Sequence, residues 1–158
     1  MKIITALFML LTSLTLTADD THVDKRIDLK AFAQLYFDRM TATQAPDATK
    51  EDLEKYLELL ADNVGHSHLP WVTDDSRLPD GKEAMRKGMT FYLGAHTEYT
   101  SELLNVFTFN TSAIAIRYKK HAKGIHPQNQ QKIEYTDIML EVLEMEGDKV
   151  AVIRKYHE

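Results

Sequence analysis

Apolar residues recur every three or four positions in the N-terminal half of this chain and every second position in the C-terminal half. Residues 28–43, DLKAFAQLYFDRMTAT, place Leu29, Phe32, Ala33, Tyr36 and Met40 on one helical face, with Asp28 where a side chain can cap the first turn. The stretch TQAPD breaks that period. A second helix is predicted from Lys50, opened by Thr49 and Asp52 at capping-box spacing and striped by Leu53, Tyr56, Leu57 and Leu60. DNVGHSHLP has too few helix formers to continue it and reads as a short strand running into a long loop, with turn chemistry in TDDSRLPDG. Asp80, with Glu83 three residues on, is expected to cap a third helix, GKEAMRKGMTFYL. That helix would bury Ala84, Met85, Gly88, Met89 and Tyr92 and stop at Gly94.

From His96 onward the alternation predicts four strands, over residues 98–109, 111–121, 131–145 and 149–157, rich in Ile, Val, Tyr, Thr and Phe. FNTS, KGIHPQN and EGDK mark the turns. Short links between sequential strands predict an antiparallel meander. Helices first and strands after give an α+β domain.

The first eighteen residues stand apart. Lys2 precedes the apolar run IITALFMLLTSLTL, and Ala18 comes just before an acidic stretch. This order predicts a signal peptide, residues 1–18, and a periplasmic or secreted protein with no stable membrane anchor after cleavage. A polar leader, 19–26, and one domain, 27–158, follow. The chain has 158 residues, no cysteine and a formal net charge of −5, with acidic residues spread along it. Disulfides are excluded, and no basic footprint for nucleic acid is visible.

The order of elements resembles the nuclear transport factor 2-like (NTF2-like) superfamily and, within it, the SnoaL-like proteins. The residues that carry the likeness are LELLADNVGHSHLP, PDGKEAMRKGM and EYTDIMLEVLEMEGDKVAVIRKYHE. The second resembles a Gly-Lys-Glu-Ala start of helix three, and the third an aspartate before an apolar run and closing hairpin. The resemblance implies three N-terminal helices packed on a strongly curved antiparallel sheet, forming a cone around a mainly apolar cavity. It also implies a homodimer paired through the sheets. Members include isomerases, dehydratases, cyclases and epoxide hydrolases, which usually need no cofactor, and also non-catalytic binding and assembly domains.

His66 and His68 are the first chemical candidates. Two apart on a strand, they point the same way. A metal would need a third ligand, such as His96, His121 or Asp137, at no fixed spacing, so no cofactor is expected and acid/base work suits them better. Ketosteroid isomerases of the superfamily carry a carboxylate base just before a proline in this stretch. Here the residues are His68-Leu69-Pro70, which argues against that mechanism in its usual form. Asp137, inside an apolar strand with Tyr135 and Met139 on its face, matches the aspartate that donates a hydrogen bond into the isomerase pocket. Enclosure without a cation would raise its pKa. Tyr36 could reach the cavity from helix one, and Trp71 could close its mouth. The expectation is therefore catalytic His68 and Asp137, with Tyr36, His66, Trp71, Tyr135 and Met139 around a small apolar or mixed-polarity ligand. The alternative is a non-catalytic periplasmic ligand-binding or assembly module.

Overall fold

The computed structural model describes residues 27–158; the predicted signal peptide and leader lie outside them. Helix α1 spans Leu29–Ala42 and helix α2 spans Lys50–Leu57. Asp28 caps α1 by accepting from the amides of Lys30 and Ala31, and Thr49 and Asp52 form the predicted reciprocal capping box. Their apolar stripes meet the inner face of one sheet. Phe32, Ala33, Phe37, Leu53 and Leu57 share a core with Ile114, Ile116, Leu143 and Ile153.

The sheet contains β1 (Leu60–Leu69), β2 (His96–Phe109), β3 (Ala113–Ile125), β4 (Lys132–Glu146) and β5 (Lys149–His157), in the order β1-β5-β4-β3-β2. Strands β2 to β5 form the predicted antiparallel meander. β1 differs. It is ten residues long rather than short, and it pairs with β5 in parallel, so the sheet is mixed. Local alternation carries no information about this, because a parallel partner can lie far along the chain. β3 also runs on to Ile125, where Gly124 still pairs with Ile133, and the turn shrinks to residues 126–131. The last hairpin pairs Glu146 with Lys149 and Leu140 with Tyr156, with one register shift after Glu144. Further shifts interrupt β1 and β2, and such irregularities bend a sheet. The sheet is open, not closed into a barrel.

Helix α3 (Gly81–Tyr92) departs from expectation in two ways. Asp80 makes no side-chain cap, and no residue of α3 is buried. Its apolar stripe lines an open space above the sheet, with Met85 and Met89 only partly buried where they touch the edge of the core. The loop before it is pinned beside β1: His68 and Val72 exchange backbone hydrogen bonds of 2.9 and 2.7 Å, and Arg154 holds Asp75 at 2.5 Å. Among the described residues no helix is long and apolar enough to cross a membrane.

Candidate functional site

The space under α3 is a cavity of about 570 Å³. Ala84, Met85, Gly88, Met89 and Tyr92 of α3 form one wall. Strand alternation brings Tyr99, Tyr118, Lys120, Met139 and Lys155 to the opposite wall, and Val64, His66 and His68 to the side made by β1. The cavity is thus apolar on the helix side and polar on the sheet side.

Beneath the polar wall lies a closed network. Glu141 has no exposed surface. Its Oε1 accepts from Tyr118 Oη at 2.6 Å and pairs with Lys155 Nζ at 3.0 Å; its Oε2 accepts from Tyr36 Oη at 2.8 Å. Tyr36 and Tyr56 hydroxyls are 3.0 Å apart. Burial pushes the Glu141 carboxyl up, but Lys155 and the two hydroxyl donors together outweigh it and leave it below the usual carboxylate range. Burial likewise opposes the charge on Lys155, and Glu141 more than restores it. The Tyr56 hydroxyl, buried and close to Glu141, is pushed up to about 12.

The imidazoles of His66 and His68 meet edge-to-face, 4.6 Å between centroids. Burial, then Lys155 and His68, hold His66 down at about 3; burial and Lys155 hold His68 at about 4. Both are therefore neutral at pH 7. Among the described residues His66 Nε2 is buried without a hydrogen-bond partner. Behind them His157 lies 6.1 Å from the His68 ring and 4.7 Å from the Trp71 ring, and its Nδ1 bonds Asp137 Oδ2 at 3.0 Å. His157 Nε2 is likewise buried without a partner among the described residues.

Solved structures of the same architecture are similar to this chain. An NTF2-like protein from Anabaena variabilis aligns with a TM-score of 0.59 at 20% identity, over 82% of this chain and 88% of that one. The chain has the NTF2-like fold. A putative polyketide cyclase from Pseudomonas putida aligns with a TM-score of 0.59 at 15% identity, over 80% and 88% of the two chains. A ketosteroid isomerase-like protein from Erwinia carotovora atroseptica aligns with a TM-score of 0.57 at 11% identity, over 85% and 97%. No family model matches the sequence, and no curated protein matches it.

Within this NTF2-like frame, His66, His68 and Met139 line the cavity. Tyr36 lies behind its wall in the Glu141 network. Asp137 shares the inner face with Met139 and Glu141 but stands further along β4. There its Oδ2 is 3.0 Å from His157 Nδ1 and 4.0 Å from Lys120 Nζ. His68 and Asp137 are thus on one side of the sheet, linked through His157 rather than touching. Tyr135 lies under Lys120, whose Nζ is 5.2 Å from its ring centroid. Trp71 is 71% exposed and packs on His157 at the rim. His96 bonds the Gln44 carbonyl and His121 bonds Thr136, so each of these imidazoles has another partner. Sequence reasoning missed Glu141, Lys120 and Lys155 as site residues. The signal was available: each falls at an inward position of its strand, in step with Met139, Tyr118 and Ile153.

Proposed function

We propose that this is an exported SnoaL-like protein that binds a small molecule of mixed polarity in the cavity. It transfers a proton on that molecule without a cofactor, in an isomerisation, dehydration or hydrolysis. The observation that carries this reading is the pair of adjoining imidazoles on the cavity wall, one with a ring nitrogen that has no hydrogen-bond partner among the described residues. A neutral imidazole accepts a proton, and a low pKa makes it give that proton back readily. His68 serves as the base. The weakness of so depressed a base is offset if the ligand becomes an oxyanion as it loses the proton, because Lys120 and Lys155 share the cavity. His157, held by Asp137, stands behind His68 as a positioning residue. The names of the similar folds, a polyketide cyclase and a ketosteroid isomerase-like protein, agree in kind with chemistry on small carbonyl compounds.

One observation favours a non-catalytic ligand-binding or assembly module: both oxygens of the buried Glu141 carboxylate are engaged, so it is not free to act as an acid or base. Solvent-deuterium exchange into a panel of small cyclic ketones, followed by NMR, separates the two. Catalysis predicts exchange that falls by about 10²-fold or more in His68→Ala, with the fold intact. Binding of the panel without His68-dependent exchange selects the module.

A further inference from the structure

We propose that Lys120 is a covalent carbonyl-capture site: its ε-amine condenses reversibly with the aldehyde or ketone group of a small ligand in the cavity to form a Schiff base. This rests on the reading that the cavity admits a small molecule, and it does not depend on proton transfer at His68.

Three observations single out Lys120. Its side chain lines the cavity and is 16% exposed, so the amine is enclosed yet reachable. The second cavity lysine, Lys155, is committed: Glu141 holds its Nζ at 3.0 Å. Among the described residues Lys120 has no such anchor. Its nearest carboxylate oxygen, Asp137 Oδ2, is 4.0 Å away and already accepts from His157 at 3.0 Å. Burial first, and the charge of Lys155 second, lower the Lys120 pKa, while Asp137 and Glu141 oppose them without reversing the shift. A desolvated amine beside a second cation is the arrangement that frees a lysine lone pair for attack on a carbonyl. The Tyr135 ring beneath Nζ can also stabilise the cationic iminium.

The step balances without a further reagent. The neutral amine adds its lone pair to the carbonyl carbon, and the oxygen takes a proton to give a carbinolamine. Loss of that hydroxyl as water leaves the protonated imine. From the ammonium form the sum is one ammonium plus one carbonyl giving one iminium plus one water.

Benzaldehyde and cyclohexanone with sodium cyanoborohydride, which delivers hydride to the iminium carbon, would fix the adduct as a secondary amine. Site-resolved mass spectrometry at pH 7 should find Lys120 alkylated about tenfold or more faster than the exposed Lys30, Lys87 and Lys132. Lys120→Arg keeps the charge but cannot form the imine, so it should lose the fast adduct and keep the slow surface ones. Alkylation of wild-type Lys120 no faster than at the surface lysines overturns the proposal, whether or not the variant folds. NMR shifts of the Met85 and Met89 methyls on adding benzyl alcohol, which has no carbonyl, report ligand entry separately. Shifts without fast labelling sink the covalent site alone. Absent shifts together with absent labelling sink the ligand-cavity reading as well.

Discussion

Glu141 and Lys155 form an ion pair inside the domain, surrounded by the buried hydroxyls of Tyr36, Tyr56 and Tyr118. Such a pair adds little net stability over an apolar one, but removing one partner strands the other, at a cost of about 3–5 kcal/mol. Lys155→Met should therefore lower stability in urea denaturation by that amount, and Glu141→Gln with Lys155→Met should recover much of it. The histidines give the fold a pH dependence. His66 at about 3 and His68 at about 4 lie below the ordinary 6.5, so the unfolded chain binds protons that the folded one refuses. Their contribution is complete above 6.5 and is lost as pH falls toward about 4 for His68 and about 3 for His66. Calorimetry from pH 7 downward should show a falling Tm, and His66→Gln should flatten part of that fall. A slope identical in both proteins would remove His66 as its source. These residues were unequally legible in the sequence. His66 and His68 stand out because histidines two apart on a strand face the same way. Glu141 was legible only in part: its phase with Met139 and Leu143 points it inward, but its partners Tyr36, Tyr118 and Lys155, which make that burial tolerable, come from three other elements.

Helix α3 is the element whose placement makes the cavity, and two of its glycines test how. A Cβ on Gly81 would stand 2.3 Å from the Val64 carbonyl oxygen, so this glycine sets how closely α3 approaches β1. A Cβ on Gly88 would meet nothing within 4 Å, because it faces the cavity. Gly81→Ala should cost about 1–3 kcal/mol, since the clash is with backbone and α3 must shift. Gly88→Ala should stabilise the protein by about 0.5–1 kcal/mol through helix propensity alone. Thermal unfolding of the two variants checks both signs, and equal effects would mean that α3 does not seat on β1 through Gly81. The helices and the meander were legible because 3.6- and 2-residue periods and caps are local properties. The same stripe of Ala84, Met85, Gly88, Met89 and Tyr92 suits a core or a cavity wall, and period alone does not distinguish them. The parallel β1–β5 pairing was illegible for a related reason: the crossover between these strands takes in α3 and the rest of the meander.

At the scale of the whole molecule, the sheet has two faces and the helices cover one. The pairing register sets Phe107, Ala115, Val142 and Arg154 side by side across the other face, with Arg117, Leu140 and Tyr156 in the next row. Phe107 is 62% exposed and Tyr156 38%. Arg117 and Arg154 pair with Glu158 and Glu144, so their charges are answered within the chain. An apolar centre with neutralised arginines at its side is suited to a second copy of the same surface, because a two-fold contact brings like residues together and tolerates no unanswered like charge. The chain has no cysteine, so an exported form would gain no stability from disulfides and would benefit from such burial. We expect mass spectrometry of the exported fraction to find a chain that begins near Asp19, and intact Met1 there would overturn export with cleavage. We further expect that form to be a homodimer joined through the outer sheet face. Light scattering at micromolar concentration should give twice the chain mass. Leu140→Glu should give a folded monomer, because position 140 lies on the face away from the core and a pair of buried glutamates across the two-fold axis would repel. A monomeric wild type, or a Leu140→Glu protein that stays dimeric, would place the contact elsewhere or abolish it.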